Sequence, residues 1–289
     1  MKPVISAIIP VYNDWEGIQA TLQDLAKQSI SQPYEVIVVD NASPQPIKDA
    51  LADLIAAMPH TKLVHEDDYR SSYAARNKGI RSAKGDILVF VDADMRLPAD
   101  YLKTVYACFQ NQQVDYTGAR VEIFAETDNL ATKHNRKNGF PVEKYLANDH
   151  FVPTCCLSVK KSVCEAIGGF NSRLESGGDW VFGQQVYEAG YAMQMLPDVT
   201  LLHPARANWA ALLSKTRRVA RGVAQIAHYY PGKYDFLSKN YSGFQRFLPK
   251  NPFNQYRLYK QKGIRINFFE VLILSFLQPF FGYVGKKAY

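Results

Sequence analysis

The 289 residues contain no glycine-rich phosphate loop. No G-x-G-x-x-G follows the first apolar run, and no G-x-x-x-x-G-K-S/T occurs, which disfavours a dinucleotide oxidoreductase or a P-loop ATPase. Cysteine is scarce: Cys108, Cys155, Cys156 and Cys164 are the only four. No C-x-x-C pair exists, so structural zinc is not expected. Adjacent cysteines meet the geometry of a disulfide poorly, and reduced thiols in a cytoplasmic setting are the simple reading. The opening MKPVISAIIPVYN has no charged region followed by a long apolar stretch and cleavage site, so no secretory signal is expected. No internal repeat is found. Acids are outnumbered by bases, 27 to 34, giving a net charge of +7. That balance favours anionic partners such as nucleotide phosphates or an anionic membrane face. Nucleic acid is not expected, because no basic-aromatic motif accompanies the charge.

What is present centres on Lys84 to Pro98, KGDILVFVDADMRLP. Ile87 to Val91 is an unbroken, mostly β-branched and aromatic run, the pattern of a strand buried on both faces of a parallel sheet. It stops at Asp92-Ala93-Asp94. Strand side chains alternate faces, so these two carboxylates are expected to point to one spot at the strand's C-terminal end, where open α/β sheets bind ligands. Two close carboxylates repel unless a cation separates them, and hard oxygen ligands suit Mg²⁺ or Mn²⁺. The alternative is that Asp92 caps a turn and Asp94 is solvated.

The preceding chain alternates strand and helix. Val4 to Val11 reads as a strand broken by Pro10, and Asp14 as the cap of a helix running to Gln28. Tyr34 to Val39 is a second strand ending at Asp40, Ile47 to Ala57 a helix, and Thr61 to Val64 a third strand. Ser71 to Ala83 is a basic helix carrying Arg76, closed by Gly85. Short connections in β-α-β order predict a right-handed, mostly parallel sheet with flanking helices.

The runs AIIPVYN, EVIVVDNAS and AARNKGIRSAKGDILVFVDADM resemble the nucleotide-sugar-binding half of family 2 glycosyltransferases, inverting enzymes of the GT-A fold. The likeness is close over about the first hundred residues and weaker to about residue 205. It implies that Pro10, Tyr12 and Asn13 shape the pocket beside the base, with Tyr12 stacking on it. Asp40 would bond a polar edge of the base, commonly uracil, and Arg76 would face base and phosphates. Asp92 would lie near ribose and metal, and Asp94 would bind the metal. Singly, Tyr12 could be an ordinary aromatic, Asp40 a turn cap and Arg76 a solvated residue. The Pro44-Gln45-Pro46 that follows Asn41-Ala42-Ser43 departs from the family's frequent acid there.

Beyond residue 112, Val114 to Phe124 and Val152 to Val159 read as strands. Residues 125 to 150 read as a long loop, and Lys160 to Ile167 as a short helix. LESGGDWVFGQQVYEAGY, from Leu174, stands where the family carries its acidic catalytic motif, often Glu-Asp at a helix start. Asp179 matches the Asp; Gly178 replaces the Glu, so Glu175 is the candidate second carboxylate. Asp179 also suits a helix cap. His203, ending the apolar TLLHP, stands where relatives have a histidine that completes the metal shell or touches the diphosphate; the alternative is structural. Arg206 to Tyr230 predicts a basic helix, and the tail from Phe236 is aromatic-rich. Phe268 to Val284 is apolar but holds Glu270, Gln278 and Pro279, short of the roughly 20 clean residues that span a bilayer. It fits an interfacial helix on the inner membrane face or a core helix.

The expected organisation is one GT-A-type α/β domain with a nucleotide-sugar half (1–112) and an acceptor and catalytic half (113–230), followed by a helical extension (231–289). The expected function is metal-dependent transfer from a UDP-sugar to a hydroxyl of a glycan or lipid-linked acceptor. The alternatives are a metal-dependent nucleotidyltransferase and a non-catalytic nucleotide-sugar-binding protein, which the Gly178 departure keeps open.

Overall fold

The structure, a computed structural model, describes residues 1–110, 113–234, 237 and 248–288. The expected boundary at residue 112 and most of the aromatic segment just after Phe236 lie outside these. The chain divides into two compact units. Unit 1 comprises Met1–Glu122, Pro141–Arg173 and Gly178–His203; unit 2 comprises Ile123–Phe140, Leu174–Gly177 and Pro204–Tyr289.

Unit 1 is built on a seven-stranded sheet in the order β3-β2-β1-β4-β6-β5-β7. Strands β1 (Ile5–Val11), β2 (Tyr34–Asp40), β3 (Thr61–His65) and β4 (Ile87–Phe90) are mutually parallel. Strand β6 (Leu157–Lys160) runs antiparallel to both β4 and β5 (Tyr116–Phe124), and β7 (Met193–Pro204) closes the order. Ile5, Ile8, Ile9, Ile37, Leu88, Val89 and Phe90 are fully buried, as runs apolar on both faces require. Helices α1 (Trp15–Ala26), α2 (Gln45–Ala56) and α3 (Ser72–Ser82) connect the parallel strands. Asp14 caps α1, accepting the Gly17 N–H at 3.0 Å. Helix α4 (Tyr101–Phe109) follows β4.

Several local expectations are corrected. Pro10 does not break β1; it pairs with Val39 inside the strand. Gly85 does not close α3, whose C-cap is Ala83. Gly85 instead lets the chain pass against β1: a Cβ there would stand 2.6 Å from the Ile5 carbonyl carbon. Residues 125–150 are not a loop but hold α5 (Leu130–Asn138) and α6 (Val142–Asp149). A capping box between Asn129 and Thr132 starts α5. The strand expected from Val152 begins only at Leu157, because Thr154–Cys156 turns as a 3₁₀ helix. Helices α7 (Lys161–Ile167) and α8 (Gly178–Glu188) complete unit 1.

Unit 2 contains α5, α9 (Trp209–Tyr229), α10 (Pro252–Gln261) and α11 (Phe268–Ala288). Its core gathers Tyr259, Ile264, Ile266, Val271 and Leu274. Lys133 ties α5 to α11 through Glu270 at 2.9 Å. Within α11, Phe268–Gly285 has a mean hydropathy of 1.5, enough by length and composition to cross a membrane. The sequence reading put this stretch short of that threshold. Soluble core helices meet the same criterion.

Candidate active site

The C-terminal ends of β1, β2 and β4 carry the site of unit 1. After Phe90 the chain leaves the strand, and Asp92-Ala93-Asp94 forms a turn rather than continuing the pleat. The two carboxylates therefore converge through that turn, not through strand alternation as the sequence suggested. Ligand atoms of Asp92, Asp94 and His203 lie within 4.8 Å of one another. His203 is delivered by β7, which bridges to the same turn: Arg96 and Leu202 exchange backbone hydrogen bonds of 2.9 and 3.0 Å.

The electrostatics of this cluster ask for positive charge. Burial raises the Asp94 carboxyl above the ordinary carboxylate range. Asp92 and Asp14 add to this, while His203 opposes it. Two carboxylate oxygens and one imidazole nitrogen form a donor set that suits Mn²⁺ or Mg²⁺. Arg76 answers part of the negative charge; its guanidinium reaches Asp92 at 2.6 Å. The side chain is only 4% exposed, and its Nε is buried without a hydrogen-bond partner. A buried donor left unsatisfied beside an acid pair is a feature an anionic ligand would resolve.

One turn before Arg76 on α3 stands Tyr73, which sequence reasoning did not single out. Its hydroxyl accepts the Gly178 N–H at 3.0 Å and donates to Asp179 at 3.3 Å. Asp179 also accepts the Trp180 N–H at 3.0 Å. Asp179 thus lies inside the first turn of α8 rather than capping it. Burial raises its carboxyl pKa, outweighing the Trp180 N–H, the Arg76 charge and the Tyr73 hydroxyl. The helix start alone would have favoured the ionised form. Gly178 has a packing reason, since a Cβ there would meet the Tyr73 ring at 2.7 Å. A side chain at 178 would therefore force the Tyr73 ring to shift. The only sequence signal for Tyr73 was its i, i+3 spacing from Arg76, which places both on one helix face. Through that face α3 holds Asp92 with one residue and Asp179 with the other.

The remaining candidates of unit 1 surround the ends of β1 and β2. Asp40 is fully buried, and its carboxylate accepts the Ser43 N–H at 3.2 Å with His65 Nδ1 at 3.4 Å and Lys48 Nζ at 3.8 Å. Through the Ser43 contact it secures the Asn41–Ser43 turn. Tyr12 is exposed, with the Arg70 guanidinium 4.0 Å above its ring. Pro10 precedes it at the strand end. Asn13 adopts a left-handed φ of 50°, and its N–H donates to Ser43 Oγ at 2.9 Å. Glu175 belongs to unit 2, where Arg221 reaches its carboxylate at 2.8 Å and Gln225 at 3.3 Å.

This mixed sheet, with acids at the ends of its parallel strands, has the architecture of GT-A glycosyltransferases. The family model of glycosyl transferase family 2 matches residues 6–168, and the chain belongs to that family. Glycosyltransferase AglE of Haloferax volcanii is 33% identical over 226 residues, covering 78% of this chain and 74% of AglE. The mannosyltransferase PcManGT from Pyrobaculum calidifontis, solved with GDP-Man and Mn²⁺, superposes with a TM-score of 0.61 at 21% identity, covering 100% of this chain and 74% of its own. TarS of S. aureus, solved with UDP-GlcNAc, gives 0.57 at 19% identity, covering 76% of this chain and 66% of TarS.

Proposed function

We propose that the protein is an inverting, metal-dependent glycosyltransferase. It takes a sugar from a uridine diphosphate donor and passes it to a hydroxyl of a glycan or lipid-linked acceptor. The observation that carries this reading is the double hold of α3: Arg76 on the Asp92–Asp94–His203 cluster and Tyr73 on Asp179. A divalent ion bound by Asp92, Asp94 and His203 would offset the charge of the leaving nucleoside diphosphate. Arg76 steadies Asp92 and presents positive charge to the phosphates. Tyr12 stacks on the base, flanked by Pro10 and Asn13, and Asp40 shapes the turn beside it. Asp179 accepts the proton of the acceptor hydroxyl as that oxygen attacks the anomeric carbon from the face opposite the leaving group. Its raised pKa makes it a stronger base than a solvated aspartate. Glu175 is held by Arg221, which suits a positioning role in its loop better than proton transfer.

The protein works at the cytoplasmic face of a membrane as a peripheral protein. Phe269, Ile273, Phe276, Phe280 and Tyr283 recur every three or four residues along α11 and are all exposed. Val271 and Leu274 of the same helix are buried in the core of unit 2, which favours a helix lying on a bilayer over one crossing it. Exposed Arg257, Arg265 and Lys287 complement anionic headgroups.

The test is thermal stabilisation by uridine- and guanosine-diphosphate sugars, each with and without Mn²⁺. Uridine donors are expected to raise Tm only with Mn²⁺, and Asp94→Ala to abolish the rise while keeping the unliganded Tm. Stabilisation by guanosine donors alone would reassign the base, and an unchanged response in Asp94→Ala would overturn the metal site.

A further inference from the structure

Asp40 ends β2 in register between Val11 at the end of β1 and His65 at the end of β3. Its side chain has no exposed surface, so a ligand reaches the carboxylate only by displacing a neighbour. One oxygen, Oδ1, accepts the Ser43 N–H at 3.2 Å. The other, Oδ2, faces His65 Nδ1 at 3.4 Å and Lys48 Nζ at 3.8 Å. Lys48 lies closer to Asp67, at 2.7 Å, so His65 is the nearer partner of Oδ2. The His65 side chain is 45% exposed, and among the described residues its ring makes no hydrogen bond except that to Asp40. A carboxylate accepts, so Nδ1 carries the ring proton, and the neutral ring presents Nε2 as an acceptor. The chain leaving His65 then returns to the end of β1. Asn41 Nδ2 donates to the Glu66 and Tyr69 carbonyls at 3.1 and 3.0 Å, pinning this loop. Arg70 closes it, with its guanidinium 4.0 Å from the centroid of the exposed Tyr12 ring.

We propose that His65 reads the edge of the donor's base, and that Asp40 acts through it as a positioning residue. This rests on the reading above that a nucleotide stacks on Tyr12. A carboxylate that bonded the base directly would be open to it, and Asp40 is closed off. Tyr12 follows β1 and His65 ends β3, so about 10 Å, two strand spacings, separates their backbones. A base edge and an imidazole side chain fill that gap together. Asp40 fixes the tautomer, and with it the acceptor character of Nε2. Uracil N3 and guanine N1 each offer an N–H on the edge away from the sugar. Cytosine N3 and adenine N1 present a lone pair at the same place. Two facing lone pairs repel, and each loses water without gaining a partner. His65 therefore selects uridine or guanosine donors by rejecting cytidine and adenosine donors as well as by bonding the right base.

The experiment measures, by titration calorimetry on the full chain with Mn²⁺ present, the Kd of UDP, CDP and 3-methyl-UDP. CDP and 3-methyl-UDP are expected to bind the parent about tenfold or more weakly than UDP, the scale of a hydrogen bond lost with its partner left unpaired. His65→Asn keeps an amide N–H for Asp40 but is too short to reach the base. His65→Phe keeps the shape of the ring without its nitrogens. Both should level UDP and CDP. A histidine that only supported the fold would weaken both nucleotides alike and leave their ratio unchanged. An unchanged ratio in a variant that melts like the parent overturns the proposal and leaves the uridine donor standing. So does equal binding of UDP and 3-methyl-UDP by the parent, which needs no variant. If GDP binds and UDP does not, the uridine donor falls, and the comparison passes to GDP and 1-methyl-GDP. Equal binding of those two by the parent then overturns the role of His65. Binding of none of these nucleotides overturns the donor reading and the role of His65 with it.

Discussion

Tyr73 is the residue on which the chemistry of unit 1 turns. Its hydroxyl takes one N–H from Gly178 and gives its proton to Asp179, so it fixes the carboxylate and moderates its basicity at once. Asp179→Asn preserves shape and the contact with Trp180 but takes no proton. Transfer is expected to fall by about a hundredfold or more, the scale of a lost general base. Donor binding should remain near normal. The raised pKa also sets the sign of the stability effect. The folded state holds the Asp179 proton more tightly than the unfolded chain, so ionising it opposes folding as pH rises through the folded pKa. Asp179→Asn should therefore melt no lower than the parent at neutral pH, and any gain should vanish as the pH falls below the ordinary aspartate value. Tyr73→Phe removes a hydrogen bond that lowers the Asp179 pKa. The acid limb of the kcat profile should then move to higher pH; a limb that stays put would mean that Tyr73 does not act through Asp179.

At the scale of elements, close approach to α3 and β1 holds the site together. Gly79 lets α3 lie on β1, since a Cβ there would stand 2.4 Å from Ile8 Cγ2. Gly79→Ala is expected to cost about 1–3 kcal/mol by overpacking, read as a lower denaturation midpoint with an unchanged slope. Because α3 carries both Tyr73 and Arg76, the same change should also weaken donor binding. Asn77 fastens α3 on its other side: its amide donates to the Phe170 carbonyl at 2.7 Å and accepts the Phe170 N–H at 2.9 Å. The strands were legible because a run apolar on both faces has few other places to go. The helices of 125–150 were not, since α5 is predominantly polar in sequence and its buried Lys133 and His134 are accommodated only by partners such as Glu270 and Phe281.

For the whole molecule, the exposed stripe of α11 is the feature that a soluble surface explains least. Replacing Phe269, Phe276 and Phe280 by Ser together should reduce co-sedimentation with anionic liposomes several-fold and leave Tm near its parent value, because none of the three is buried. If Tm collapses instead, the stripe belongs to packing, and the membrane reading fails. Raising the salt should weaken the association of the parent protein, since its charge contribution is screened within about 10 Å at 0.1 M.

The sequence by itself determined the parallel sheet, the acids at its strand ends and the family. Each of these follows from local alternation, apolar run length or a contiguous motif. His203 was legible as a candidate only through the family resemblance, since a histidine after an apolar run is by itself more often structural. Tertiary structure decided how those residues are used. It brought Asp92, Asp94 and His203 together across more than a hundred residues of chain. It gave Gly178 its reason in the ring of Tyr73 and tied Glu175 to Arg221. It also turned a polar segment into a helix that buries Lys133 and His134. Spacing along a chain fixes which face a side chain points to, whereas burial and partners depend on segments far apart in sequence that meet only when the chain is folded.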